Sequence, residues 1–116
     1  MLLNSFWKVG TNDVYCIDLD DGRLDSELME NVHFQIMDAS KMAFTDSTFD
    51  TVVLYNAFSH IQSQWFEIKQ ECMRVLKTNG VIYVVGTWKI DTHLMMEVFG
   101  DEAKWRDGFL IVEIRK

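Results

Sequence analysis

The 116-residue sequence has no proline, only two cysteines and no long apolar run. Cys16 and Cys72 each lie inside an apolar periodic segment, so we expect two core thiols and neither a disulfide nor a metal site. No apolar run approaches the roughly 20 residues that a membrane span needs. The opening residues MLLNSFWKVG lack the cleavage site of a signal peptide, which makes the cytoplasm the expected compartment.

Basic residues are also scarce. Eleven lysines and arginines stand against eighteen acidic residues, which gives a net charge of −7, and no segment gathers the basic residues together. Because nucleic-acid binding requires a positive surface, we do not expect it here. Apolar residues make up 48% and charged residues 25%, as in folded globular proteins. The length fits one domain over residues 1–116.

Short apolar runs, rich in β-branched or aromatic residues, predict the strands. Four of them lie at residues 14–17, 32–36, 50–55 and 81–85. Their nearly continuous hydrophobicity is typical of parallel strands that are covered on both faces. A fifth run at residues 109–114 ends in polar alternation and predicts an edge strand.

Helical periodicity appears between these runs and predicts helices at residues 24–30, 65–76 and 92–99. Ser63 is the expected cap of the second helix, and Asn79–Gly80 its expected end. Gly100 is the expected end of the third. Strands that alternate with helices predict right-handed βαβ units and therefore a doubly wound, mostly parallel α/β sheet.

Polar side chains follow the predicted strands, at the edge where such sheets bind ligands. They are Asp18, Asp20, Asp38, Asn56, His60, Thr87 and Trp88. Three acids near one crevice would make it electronegative, which suits a cationic or hydroxyl-rich ligand better than a phosphate. Each aspartate has an alternative role in capping a loop or helix.

Three linked segments carry a family resemblance: VYCIDLD, VHFQIMDASKMAFTDSTFDTVVLYNAFSHI and RVLKTNGVIYVV. In this order they resemble the Rossmann-type (class I) S-adenosylmethionine-dependent methyltransferases over about residues 14 to 88. The resemblance implies that Asp18 accepts hydrogen bonds from the cofactor's ribose hydroxyls and that Leu19 packs on the adenine. It also implies that Asp38 faces the adenine amino group, with Ala39 and Ser40 lining the base.

Two more residues enter through the same resemblance. Asn56 would be a further cofactor contact at the end of its strand. His60 is the candidate general base, because it follows the third predicted strand at the crevice, and methyl transfer, which depends mainly on in-line positioning, is sometimes helped by a base. The other histidines are expected to be surface or packing residues.

The sequence departs from the family pattern at its start. Only thirteen residues precede the first matching strand, and Gly10 is their only glycine, so the first strand and its G-x-G-x-G loop are missing. We therefore expect an N-terminally truncated domain without its first βα unit, which binds S-adenosylmethionine weakly or not at all. Uncovered apolar surface beside the missing strand predicts a homodimer or a completing partner chain.

Two hypotheses about function remain. The first is a methyltransferase that acts on a small-molecule acceptor, and the second is a non-catalytic relative that serves as a binding or dimerisation module. A receiver domain of two-component signalling is a weaker rival, because Tyr55 and Asn56 stand where it needs a phosphorylatable aspartate. The segment DLDDGRLDSE does not fit an EF-hand, since its glycine comes one position too early.

Overall fold

The structure, a computed structural model, describes the backbone of residues 2–3, 14–18 and 32–36 and the complete residues 37–116. These residues form seven strands, β1 (Leu2–Leu3), β2 (Val14–Asp18), β3 (Val32–Ile36), β4 (Phe49–Tyr55), β5 (Leu76–Gly86), β6 (Lys104–Arg106) and β7 (Phe109–Arg115). They also form the helices α1 (Phe58–Ile61), α2 (Trp65–Val75) and α3 (Lys89–Phe99). Single 3₁₀ turns lie at Gln62–Gln64 and Gly100–Glu102.

The strands make one sheet in the order β3-β2-β1-β4-β5-β7-β6. Neighbours from β3 to β5 are parallel, whereas β7 runs antiparallel to both β5 and β6. Strand order reverses at β1, since β2 and β3 lie on one side of it and β4 and β5 on the other. This arrangement confirms the predicted doubly wound, mostly parallel α/β sheet.

A two-residue strand occupies the centre of the sheet. Leu2 pairs with Cys16 of β2 and with Val53 of β4, and Leu3 follows in register on both sides. The two strands beside it, β2 and β4, therefore each pair with β1 and do not pair with each other. These two residues therefore occupy the central position of the sheet, where the strand order reverses.

The C-terminal strands differ from the prediction. The run at 109–114 was expected at the edge, but β7 lies between β5 and β6, so that expectation is wrong. The edge strand is β6, whose three residues are all exposed. Asp107 and Gly108 join β6 to β7 with positive φ values of 52° and 85°, as a two-residue hairpin turn requires.

Helix boundaries also shift. The cap residue of α2 is Gln64, the last residue of a 3₁₀ turn, so the expected Ser63 cap is wrong. The expected end at Asn79–Gly80 is wrong too, because Leu76 turns extended, pairs with Phe49 and opens β5. Helix α3 begins three residues before the expected Thr92 but ends at Gly100 as predicted. The helix expected at 24–30 lies outside the described residues.

The two faces of the sheet are built differently. We call the side of the sheet that carries the main core, shared by helices and strands, the first face. The strand residues in this core include Val52, Leu54, Ile82, Val84, Leu110 and Val112. The helices add Phe58, Ile68, Cys72 and Met95 to it. The second face carries a smaller cluster made only of strand residues, namely Val53, Tyr55, Tyr83, Val85 and Ile111. All the described helices that contribute buried residues therefore pack on the first face.

Cys72 is a core thiol, as predicted. It is fully buried in the first-face core, and this burial raises its pKa to about 12. The side chain of Cys16 lies outside the described residues.

Candidate functional site

The parallel strands end at a common edge of the sheet, and the predicted site residues lie at or just after these strand ends. Asp18 is the last residue of β2, and Asp38 comes two residues after β3. Asn56 directly follows β4. The side chain of Asp18 and all of Leu19 lie outside the described residues, so their roles as ribose and adenine contacts stay predictions.

Asp38 forms a tight turn beyond β3. Its Oδ1 accepts hydrogen bonds from the backbone N–H of Ser40 at 2.9 Å and from the Ser40 hydroxyl at 2.7 Å. The hydroxyl and then the amide of Ser40 lower the pKa of Asp38, which keeps the exposed carboxyl ionised. Ala39 between them is buried. The turn therefore presents a fixed carboxylate whose Oδ2 has no hydrogen bond within residues 37–116.

Glu71 and Arg74 of α2 hold the rest of the β3–β4 segment, and we call this pair the clamp. Arg74 donates to the carbonyl oxygens of Met42 at 3.0 Å and Phe44 at 2.8 Å. It also donates to Asp46 Oδ1 at 2.8 Å and to both carboxylate oxygens of Glu71 at 2.9 Å. Glu71 Oε2 accepts the Met42 N–H at 2.8 Å. One guanidinium therefore satisfies backbone acceptors that lie about thirty positions away in sequence.

Asn56 joins the ends of two neighbouring strands. Its Nδ2 donates to Thr87 Oγ1 at 2.8 Å, and the Thr87 N–H donates to its Oδ1 at 2.7 Å. Asn56 has a φ of 47°, a conformation that asparagine tolerates better than most residues. Both ends of its buried amide are thus engaged by Thr87. Its role as a cofactor contact stays a prediction.

His60 and Asp91 lie near the same edge but differ in burial. His60 is an exposed residue of α1, and its ring makes no hydrogen bond or ion pair within the part of the chain that the structure describes. Asp91 of α3 is fully buried, and its Oδ1 accepts the Ser59 N–H at 2.9 Å. Asp91 therefore caps the start of α1, where Ala57 has no side chain able to do so.

Sequence reasoning missed Asp91 and the clamp. Asp91 Oδ2 is the one buried side-chain oxygen or nitrogen in the described residues that lacks a hydrogen-bond partner. No local pattern signals such a cap, because it joins residues 32 positions apart. The clamp had a weak signal, since Glu71 and Arg74 are three apart on a predicted helix.

A groove of about 820 Å³ lies on the second face. Its floor includes Val53, Tyr83, Val85 and Ile111, and its rim carries the charged residues Glu102, Lys104, Arg106 and Glu113. No group of three or more potential metal ligands occurs among the described residues. Within the same residues, none of the helices combines the length and hydrophobicity of a membrane span.

Solved structures share this architecture. An S-adenosylmethionine-dependent methyltransferase from Aquifex aeolicus matches with a TM-score of 0.63 and 17% identity, over 88% of this chain and 69% of its own. The PH0226 protein from Pyrococcus horikoshii matches with a TM-score of 0.59 and 23% identity, over 89% of this chain and 54% of its own. The YcgJ protein from Bacillus subtilis matches with a TM-score of 0.58 and 25% identity, over 66% of this chain and 36% of its own. The fold is that of the Rossmann-like methyltransferases.

The sequence model of the family described as "Methyltransferase domain" matches residues 1–84. The chain belongs to this family. No curated protein matches it significantly. The chain spans between about one third and two thirds of the length of these three solved structures. The share is 36% for the YcgJ protein and 69% for the Aquifex aeolicus methyltransferase.

Proposed function

We propose that this chain is a cytoplasmic, single-domain methyltransferase-like protein that binds the nucleoside half of S-adenosylmethionine at the Asp38 turn. The observation that supports this proposal is the fixed, ionised Asp38 carboxylate just beyond β3. Its Oδ2 has no hydrogen bond within residues 37–116 and could accept one from the adenine amino group. Ala39 and Ser40 would line the base, while Asp18 and Leu19 would hold the ribose and the adenine. When bound, S-adenosylmethionine supplies an electrophilic methyl group.

The methionine half of the cofactor has fewer candidate contacts. The family's glycine-rich loop has no counterpart in this sequence, where Gly10 is the only glycine before residue 22. Losing two or three hydrogen bonds to charged groups costs about 3–6 kcal/mol, or a factor of hundreds or more in affinity. Adenosine and S-adenosylmethionine should therefore bind with similar, weak affinities. Transfer to a small-molecule acceptor, with His60 as general base, would need a partner chain that completes the site.

Titration calorimetry with adenosine and S-adenosylmethionine tests this proposal. Asp38→Ala should weaken adenosine binding about tenfold or more and lower the unfolding temperature only slightly, because the hydrogen bonds of this carboxylate lie at an exposed site. Asp101→Ala, which removes another exposed carboxylate, is the matched control. A micromolar constant for S-adenosylmethionine, or equal adenosine affinity in both variants, would refute the proposal.

The groove favours a second candidate function, a dimerisation module. Its apolar floor is bordered by two basic residues of β6, Lys104 and Arg106, and by two acids, Glu102 and Glu113. A chain of net charge −7 repels a second copy over most of its surface, but this balanced rim can pair with its own copy. In a two-fold dimer the bases of one copy would meet the acids of the other.

Charge reversal tests this second candidate. The variant Lys104→Glu/Arg106→Glu and the variant Glu102→Lys/Glu113→Lys should each be monomeric near 13.6 kDa by light scattering, whereas the unmodified chain should be dimeric. An equimolar mixture of the two variants should form a heterodimer, because opposite rims then face each other. A monomeric unmodified chain, or two variants that do not associate when mixed, would rule out this interface.

A further inference from the structure

The segment that joins β3 to β4 is fixed at both ends by different means. At its start, the Asp38 carboxylate holds the Ser40 amide and hydroxyl. Two residues later the clamp begins, where the Met42 N–H meets Glu71 Oε2 and the Met42 carbonyl meets Arg74 Nη2. The Asp38 turn is thus tied to α2 through a link of one residue, Lys41.

Burial makes this link stiff. Ala39 and Met42 are each only 7% exposed and both belong to the first-face core. The Lys41 N–H also donates to the Asp38 carbonyl at 3.0 Å, so the single residue between Ser40 and Met42 is itself held in the turn. A change at Arg74 is therefore expected to reach the Asp38 turn.

The guanidinium geometry explains why arginine is needed. Arg74 donates five hydrogen bonds, two to backbone carbonyls, one to Asp46 and two to Glu71. A lysine at this position keeps the charge but has a single nitrogen, so it cannot hold the two carbonyls and both carboxylates together. The far end of the segment is fixed as well, because the Ser47 N–H donates to the Arg74 carbonyl at 3.0 Å.

We infer that Glu71 and Arg74 are positioning residues for the nucleoside site, because they set the geometry of the Asp38 turn from the far side of the β3–β4 segment. The identity of the ligand rests on the proposed function above. The effect of the clamp on the turn does not.

The experiment compares Arg74→Lys and Glu71→Gln with two controls, Arg115→Lys and Glu97→Gln. The controls alter exposed ion pairs on β7 and α3, away from the segment. Amide exchange of Met42, amide resonances of Ala39 and Ser40, and adenosine affinity are measured below the unfolding temperature of every variant. Arg74→Lys should speed exchange of Met42 and weaken adenosine binding, each about tenfold, and should shift the Ser40 resonance. Glu71→Gln should do the same to a smaller extent, and the controls should match the unmodified chain.

The outcomes separate this inference from the proposed function. If Met42 exchanges faster while the Ala39 and Ser40 resonances stay in place, the clamp only stabilises the fold and the inference is wrong. If those resonances move but the unmodified chain does not bind adenosine, the proposed function fails and the positioning of the turn stands. If Arg74→Lys does not fold, Glu71→Gln, which keeps an oxygen for the Met42 N–H, decides between the same results.

Discussion

The first and second faces of the sheet use the same strands but bury them to different extents. On β5, Ile82 and Val84 are fully buried against helices on the first face, whereas Tyr83 between them lies on the second face and stays partly exposed. The first-face core joins strands and helices, while the second-face cluster contains strand residues alone. Residues 37–116 therefore build two packed layers around one face of the sheet and place only strand side chains on the other face.

The largest expected contrast comes from one substitution made on each face. Ile82→Asp should destabilise the fold by at least about 4 kcal/mol, because it places an unpaired carboxylate in a fully buried core. Ile111→Asp should cost about 1–2 kcal/mol, because Ile111 is half-buried and lines the groove. Urea unfolding followed by circular dichroism measures both. Equal losses would mean that the second face is as closed to water as the first.

Thiol labelling sharpens the same contrast. In a Cys16→Ser background, Cys72 should react with a disulfide reagent far more slowly than an ordinary thiol, because it is fully buried and burial raises its pKa from 9.0 to about 12. A cysteine introduced on the groove floor by Ile111→Cys should react at nearly the rate of a free thiol. Rapid labelling of Cys72 under native conditions would show that the first-face core opens readily.

A third test compares two arginines. Arg74→Ala should lower the free energy of unfolding by about 2–3 kcal/mol, because the Met42 and Phe44 carbonyls lose their hydrogen-bond donor. The Glu71 carboxylate, which is only 20% exposed, loses its donor as well. Arg115→Ala should cost less than about 0.5 kcal/mol, since its ion pair with Glu113 is 68% exposed on the arginine side. By differential scanning calorimetry, the first change should lower the unfolding temperature by about 10 °C and the second by far less. Similar shifts would contradict the role given to the clamp.

Local sequence patterns were enough to predict most of the strands but not the ends of the elements. The apolar runs at 32–36 and 81–85 became β3 and the buried part of β5. The Asn79–Gly80 signal failed because Leu76 gains more by pairing with Phe49 and entering the core than by extending α2. Such a tertiary gain is not visible in a window of neighbouring residues.

The candidate site was predictable where it depends on strand ends. Asp38 and Asn56 follow β3 and β4, so their location at one edge needed only the parallel sheet. The Asn56–Thr87 hydrogen bonds required knowledge that β4 and β5 are neighbours. The Asp91 cap required the packing of α1 on α3, which no spacing rule supplies.

The smallest expected effect concerns pH and again distinguishes the clamp from exposed pairs. The hydrogen bonds from Arg74 lower the pKa of Glu71 below its ordinary value of 4.5, with a further contribution from the Met42 N–H and with burial opposing them. Because the folded pKa lies below the unfolded one, the stabilisation is complete above about pH 5 and is lost as the pH falls through the lowered folded value.

Glu71→Gln should therefore cost about 1 kcal/mol at pH 7 and show a shallower loss of stability on acidification, so that its curve approaches that of the unmodified chain as the pH falls through the lowered pKa of Glu71. Asp38 has a lowered pKa as well and contributes in the same direction in both proteins, so the difference between the two curves isolates Glu71. Asp46 pairs with Arg74 of the clamp, and neither of these two residues is changed by the substitution. Urea unfolding at pH 7, 5, 4 and 3 gives the curves, with Glu97→Gln of the exposed His93–Glu97 pair as the control that keeps the steeper slope. Parallel curves for Glu71→Gln and the unmodified chain would show that Glu71 titrates as an ordinary surface carboxyl, and the clamp would then hold the β3–β4 segment through Arg74 and the backbone alone.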